Sequence, residues 1–599
     1  MASRSMAPQS NSSAPAFSSR AAAMLMVLGV LVTNLAASVP RVDIGARDLV
    51  DTDSYMRVVR VRALLEGDNG WFDGSEHRSG AGHTMHWSRT LDVLMILLAA
   101  PFLVAMSTAE AIYIAALAVG PLLHLALAFA VAWALRPLLT RPATYLAGLA
   151  IAAQPGILSY AAVGRADHHV LIVIPAVLLV GATLRVLVDD RKHAAFWGGV
   201  FAGTGLWIST ESLLPIVLSL AGLSLHWLWK GGAQGARFAA SFACSCAAFA
   251  LLERGLDLGS VEYDRLSLPH LVLACSLALG WAALAHPTLQ KTLARRAVAG
   301  FLIAGSIAAL MAVFFPAFFQ GPFASVPAVL QGHWLDRVDE LRPLAEMSAT
   351  DMLLLLGVVL VALPALAWVV RKERGTPRFA GWIFLSAWVG VFSAVALIHV
   401  RFVVYPEALA SAPLAAFVAT HLGEERVSLG RSLTRVGLLA VLVAGFAALA
   451  GVASLVLDPA EASASGAPCS VASVASQIPQ GAVVLASIDL GPELLYRTGA
   501  SVVASPYHRN VEGILDTRRA LNGPWPASRE ILTARRITHV LLCASQDEVE
   551  LGDSTPDSTR ARLLSGELPE EIAQVATPSA PPSMALFRVR SSLAGGRRE

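Results

Sequence analysis

Charge is what this sequence has least of. Acidic and basic side chains make up 15% of its 599 residues, where a soluble domain carries roughly 25%. That shortfall excludes an ordinary water-soluble globule. No basic patch is present either: the arginines are scattered between apolar runs and the formal net charge is +2. A nucleic-acid partner is therefore not expected. Cysteine is scarce as well, with five in the chain. Cys244, Cys246 and Cys275 stand in apolar runs, where a thiol behaves as a small buried hydrophobe. Cys469 and Cys543 stand in the polar C-terminal part, and export of that part to an oxidising compartment would allow them to pair.

What is abundant is apolar surface. Hydrophobic residues are 55% of the chain and the mean hydropathy is +0.60. A bilayer core takes about 20 apolar residues per helix, and runs of that kind recur from residue 21 to 457. Basic residues punctuate them at Arg136/Arg141, Arg185/Arg191/Lys192, Lys230/Arg237, Lys291/Arg295/Arg296, Arg371/Lys372/Arg374 and Arg426/Arg431/Arg435. Placing these clusters in the cytoplasm predicts about thirteen transmembrane helices, with the N-terminus (Arg4, Arg20) inside and the C-terminus outside. A cleaved leader at residues 21–39 would leave the later topology unchanged. The short apolar run 91–106 follows a polar loop and is read as a helix lying at the outer interface.

This parity puts segments 40–90, 163–169, 253–268, 320–350 and the tail on the same outer side, and polar chemistry concentrates there. The expected organisation is a membrane domain over 1–457 and an extracytoplasmic soluble domain over 458–599. In the tail, short β-branched stretches (483–488, 501–505, 537–543) alternate with helix-like ones (511–521), which predicts a small α/β domain. Residues 459–468 read as its linker, and the end from Ser591 as loose.

Two outer loops hold the chemistry-bearing residues. The first carries Asp48, Asp51 and Asp53 directly after a span, and carboxylates there suit a hard divalent cation. Asp48 and Asp51 read as solvated caps of the following helix. Asp53 opens an amphipathic helix with Arg57, Arg60 and Arg62 behind it. The second loop is GRADHHV (164–170), packing Arg165, Asp167, His168 and His169 between two apolar spans. Ionisable groups in such a place are costly and mark function. Asp167 and His169 point the same way in an extended segment, a plausible pair of metal ligands.

The run DSYMRVVRVRALL (53–65), then HWSRTLD (86–92), then GRADHH (164–169) resembles the archaeal-type catalytic subunit of oligosaccharyltransferase, a GT-C membrane glycosyltransferase. RVDELRPL (337–344) and HVRFVVYPEALASAPLAAF (399–417) are similar to two further family segments in family order. The resemblance implies Asp53, Asp167 and His169 as ligands of Mn2+ or Mg2+, and Glu340 as a carboxylate completing the site. It implies Arg401 on the phosphates of a polyprenyl-linked sugar donor, and Arg165, His168, His86 and Trp87 as substrate-binding residues. It also implies direct inverting transfer, with Asp53 acting as base when the acceptor is a hydroxyl.

The acceptor side departs from the family pattern. Where the family has Trp-Trp-Asp-Tyr-Gly, this chain reads SIDLG (487–491), keeping Asp489 and Gly491 without the aromatic residues. The acceptor is therefore open among protein, lipid and glycan. The segments SPYHRN (505–510) and GPWPASRE (523–530) read as turn-forming loops. Two alternatives stay open: a GT-C transferase using a polyprenyl-monophosphate sugar, and a transporter of lipid-linked sugars. The mid-span stretches of Ala, Leu and Val speak against the transporter, with Glu211 as a partial exception.

Overall fold

The computed structural model describes residues 19–39, 42–80, 82–324, 326–335, 338–421, 469–544 and 555–590, with 430, 434, 435, 437 and 438. The expected linker 459–468, the end from Ser591, the first residues with Arg4, and Arg337, Arg426 and Arg431 lie outside the described residues.

Among the described residues, nine helices are long and apolar enough to cross a membrane, and the chain is a multi-span membrane protein. Chain order begins with α1 (Ser19–Ser38). The next loop holds α2 (Thr52–Glu66) and α3 (Thr90–Ala99), and α4 (Thr108–Ala134) follows. Next come α5 (Arg141–Ala150) and α6 (Pro155–Tyr160), joined by a tighter turn at Ile151–Ala153 and together counted as one split crossing. Then follow α7 (His169–Asp189), α8 (Lys192–Ile208), α9 (Leu213–Lys230), α10 (Gln234–Arg254), α11 (Leu268–Leu284) and α12 (Leu293–Phe314). The short α13 (Ala328–His333) precedes α14 (Ala349–Lys372), α15 (Phe379–Ile398) and α16 (Val404–His421). The split crossing, α8 and α11 complete the expected alternation up to α16, and the last expected span, ending at 457, lies outside the described residues.

Local chemistry sets the breaks. Asp51 caps α2 by accepting from the Ser54 backbone N–H at 2.8 Å, and Gly67 closes the helix at φ 83°. A Ser107/Glu110 capping box starts α4. Pro155 starts α6 and cannot continue α5. The two N–H groups freed at that break, of Gly156 and Ile157, donate to the buried Glu407 carboxylate of α16, each at 2.9 Å. A side chain at Gly156 would collide with that carboxylate.

The segment read as an interfacial helix is α3, and it has a second task. Asp92 on it is fully buried and accepts from Arg57 at 2.7 Å, Arg60 at 2.9 Å and Arg89 at 3.1 Å. These charges anchor α2 to α3, because unpaired ions cannot stay buried. Cys246 is buried as expected, whereas Cys244 and Cys275 are exposed on the outer surface of their helices. An apolar run covers all sides of a membrane helix, so the run itself does not say which side packs inward.

The tail is a mixed sheet flanked by helices. Strands β1 (Ser75–Glu76) and β2 (His83–Thr84) form a hairpin in the first loop. The tail strands β3 (Val483–Leu485), β4 (Ser501–Val502), β5 (His539–Cys543), β6 (Ile572–Val575) and β7 (Met584–Val589) are ordered β4-β3-β5-β7-β6. β3 pairs in parallel with β4 and β5, and β7 pairs antiparallel with β5 and β6. The helices are α17 (Leu490–Arg497), α18 (Val511–Asn522), α19 (Trp525–Ala534) and α20 (Thr559–Leu564). The structure joins Cys469 to Cys543 at a Cα–Cα distance of 6.1 Å.

The sheet is not free-standing. Arg497 on α17 donates to the Ala46 carbonyl at 2.8 Å and pairs with Asp48. Arg78 reaches the Thr498 and Leu495 carbonyls at 3.1 and 3.0 Å. Met56, Val59, Met85 and Trp87 of the first loop share one apolar core with Val484, Leu494 and Tyr507 of the tail.

Candidate active site

With α5–α6, α8 and α11 counted as crossings from α1, the loops that line the principal cavity follow odd-numbered ones, and Tyr160, Ile208 and Leu355 of the helices themselves complete its wall. The cavity holds about 610 Å³. The first loop supplies Asp51, Asp53, His86 and Trp87, and the turn after α6 supplies Arg165, His168 and His169. Glu211, Asp264, Glu340 and Arg401 come from four later loops, and Asp489, Tyr507 and His508 from the tail. The basic clusters around Arg136, Arg191, Lys230, Arg295 and Arg371 follow even-numbered spans.

The tight turn after α6 needs Gly164, at φ 79°. Its carbonyl accepts from Val50 at 3.1 Å, and Ala166 N–H donates to Ser54 Oγ at 2.9 Å. These bonds fasten the second loop onto the start of α2, bringing Asp167 into the neighbourhood of Asp53. Asp167 Oδ2 lies 2.5 Å from His169 Nδ1, and its Oδ1 lies 2.9 Å from His168 Nδ1. His169 Nε2 is 3.2 Å from Glu340, and its ring stacks on Tyr160 at 4.5 Å. Arg165 sits among the carboxylates, 2.8 Å from Asp51, 3.0 Å from Glu340 and 3.7 Å from Asp167.

Three carboxylates thus converge around Arg165, and Asp53 lines the same cavity. Burial pushes Asp53 well above the usual carboxylate range, and the charges of Asp167, Asp51 and Glu340 push the same way. Burial also opposes the charge on Asp167, but His169 and His168 outweigh it and hold that group well below the usual range. Glu340 is treated alike: burial raises it, and His169 and Arg165 bring it to about 2. Asp53 is the group that most needs an added positive charge to ionise.

The donor atoms fit a divalent cation. Asp167, His168 and His169 each offer a ligand atom within 4.8 Å of the others. Asp53, the third ligand implied by the resemblance, lines the same cavity but is not among these clustered ligand atoms. Mixed carboxylate and imidazole donors suit manganese better than magnesium.

Two residues sit where the sequence suggested and gain a partner that it did not show. Asp51, read as a cap, does cap α2 and also binds Arg165 inside the cavity. Glu211, read as a polar exception near a span end, faces Arg401 at 3.0 Å. The segment read as a plain turn, 505–510, delivers Tyr507 and His508 into the cavity. Tyr507 Oη donates to Asp53 at 3.3 Å, and its ring meets Trp87 edge-on at 5.1 Å. His508 Nε2 contacts Asp264 at 2.7 Å. The available signal was three aromatic or charged side chains in a row, Tyr507, His508 and Arg509, within a six-residue turn. Asp489 lines the same cavity, whereas Trp525 packs with the tail core at β3 and β5.

The fold is that of the GT-C membrane glycosyltransferases. It is similar to the archaeal oligosaccharyltransferase AglB from Archaeoglobus fulgidus, solved with an inhibitory peptide and a dolichol-phosphate: TM-score 0.70, 12% identity, 93% of this chain and 79% of that one. It is also similar to the Archaeoglobus fulgidus oligosaccharyltransferase tethered to an acceptor peptide containing the NVT sequon (TM-score 0.67, 12% identity, coverages 93% and 79%). A third similar structure is that enzyme complexed with Zn and sulfate (TM-score 0.62, 12% identity, coverages 96% and 73%). No protein-family model and no curated protein sequence matches the chain. At such identity the likeness is one of fold.

Proposed function

We propose that this protein is a membrane glycosyltransferase that moves a sugar or oligosaccharide from a polyprenyl-diphosphate-linked donor to an acceptor outside the cytoplasm. One observation carries the reading: a buried Asp–His cluster and the half-buried Arg401, from loops hundreds of residues apart, meet at a single cavity at one end of an apolar bundle. The basic loops at the other end assign that other end to the cytoplasm, which makes the cavity and tail extracytoplasmic in a cell membrane.

In this reading Asp53, Asp167 and His169 hold a divalent cation, manganese or magnesium, which when bound supplies positive charge against the donor phosphates. Glu340 and Arg165 fix His169 and Asp167 in place through the contacts above. Arg401 turns its guanidinium toward the leaving phosphate, and Glu211 keeps it oriented. The walls contributed by Tyr160, Ile208, Leu355 and Val403 exclude water from the anomeric carbon. Inversion is the expected outcome of one direct displacement.

The same pairing gives the monophosphate alternative a specific footing, since Glu211 offsets the Arg401 charge and a monophosphate needs less neutralisation. The experiment uses purified protein, manganese and either a polyprenyl-diphosphate glycan or a polyprenyl-monophosphate sugar. Diphosphate donor consumed by wild type but not by Asp53→Ala or Asp167→Ala supports the reading. Consumption of the monophosphate donor alone replaces it with the alternative, and consumption of neither defeats both.

A further inference from the structure

One stretch of the cavity wall, which adjoins the donor cluster through Trp87 and His168, is not used by the donor chemistry. Trp87, Phe323, Trp334 and Tyr507 present aromatic surface there, with polar groups from His86, Asp264 and His508. His86 Nδ1 is buried without a hydrogen-bond partner among the described residues. Burial, reinforced by His508, keeps that imidazole neutral by lowering it well below its ordinary value. Aromatic faces beside isolated polar groups match a pyranose, which has an apolar C–H face and a rim of hydroxyls.

The same stretch contains an Asp–His pair. His508 Nε2 donates to Asp264 Oδ2 at 2.7 Å, and Arg509 Nε donates to the same oxygen at 2.7 Å. Burial opposes ionisation of Asp264, but the His508 and Arg509 bonds hold it far below the usual carboxylate range. With Nε2 facing Asp264, Nδ1 is the ring nitrogen left for a substrate. The ring is fixed between His86, 4.4 Å away, and Phe323, 5.4 Å away edge-on. A carboxylate-oriented imidazole at a cavity wall is the arrangement that takes a proton from a hydroxyl nucleophile. Tyr507, one residue earlier, ties this stretch to Asp53.

We infer that the tail builds the acceptor half of the active site: a saccharide sits against Trp87, Phe323 and Trp334, and the Asp264–His508 pair, in place of Asp53, activates its hydroxyl. This rests on the donor reading under Proposed function. The acceptor oxygen attacks the anomeric carbon and forms the new C–O bond as its proton passes to His508 Nδ1. The anomeric C–O bond to phosphate breaks, and its electron pair leaves with the phosphate oxygen. Asp264 is the positioning residue that fixes the His508 tautomer.

The test reconstitutes the full chain in nanodiscs with manganese and a polyprenyl-diphosphate glycan. Fluorescent alkyl gluco-, galacto- and mannopyranosides are offered beside a sequon peptide, and donor binding is measured separately. The expected result is transfer to a pyranoside. His508→Ala should lower that transfer by about a hundredfold with donor binding retained, and added imidazole should restore part of the loss. Arg509→Ala, which loosens the same contact without lining the cavity, should lower thermal stability and show no imidazole response. Glycosylation of the peptide alone, or a His508→Ala rate equal to wild type, overturns the inference and leaves the donor reading standing. Failure of wild type to consume donor defeats the donor reading instead.

Discussion

The two parts of the cavity were built in different ways. At the donor end, Arg165, Asp167, His169 and Arg401 sit within a few residues of apolar spans, so each stands out as a charge that the bilayer should not tolerate. At the tail end, Tyr507 and His508 belong to a polar domain where such residues are ordinary. They gain meaning only when α17 packs against α2 and the Arg509 bonds reach Asp264. A membrane sharpens the sequence signal of a site, and a soluble domain dilutes it.

That contrast can be tested by removing one support at a time. The largest effect belongs to the donor end: Asp167→Ala should reduce donor turnover roughly a thousandfold, as loss of a preorganised electrostatic group does, and should also lower the melting temperature, because buried His169 loses that partner. A steady-state assay beside differential scanning fluorimetry checks both halves of the statement. Asp92→Ala shifts the weight to stability. It leaves Arg57, Arg60 and Arg89 buried without their shared partner and should cost about 3–5 kcal/mol of stability, read as lower yield and earlier unfolding in detergent.

Tyr507→Phe should be milder. Losing its hydrogen bond to Asp53 costs about 1.5 kcal/mol, or roughly tenfold in turnover, with tail docking intact by limited proteolysis. The smallest effect is the pH response of the docking itself. Glu262 and Asp264 are both held below their ordinary range, against burial, by arginine and histidine partners. Their contribution to docking is therefore complete above about pH 4, the unfolded carboxylate value, and is lost as pH falls toward the lowered ones. Protease susceptibility of the tail should stay flat from about pH 7 to 5 and rise below about 4; a rise already at neutral pH would contradict this pairing.

Much of the architecture was legible because the bilayer imposes it. Span length and arginine placement gave an alternation that agrees with the side on which the cavity loops gather. The β-branched stretches at 483–488 and 537–543 contain the tail strands β3 and β5. The roles of Asp51, Glu211 and Asp92 were hidden for one shared reason. Each depends on an arginine supplied by another element, and pairing across an interface leaves no periodicity along the chain. The faces of Cys244 and Cys275 were hidden for the opposite reason, since uniform apolarity carries no direction.

The clasp between Glu407 and the start of α6 has a mechanical consequence. Tyr160 at the far end of α6 supports His169 by stacking and Arg165 by a contact of 4.4 Å with its ring. Arg401 stands six residues before Glu407 on the segment leading into α16. Both walls of the donor end are therefore bolted to one rod. When lipid tension or thickness displaces α16, the two walls travel together, so the gap between them is insulated from the fluctuations of the bilayer around it.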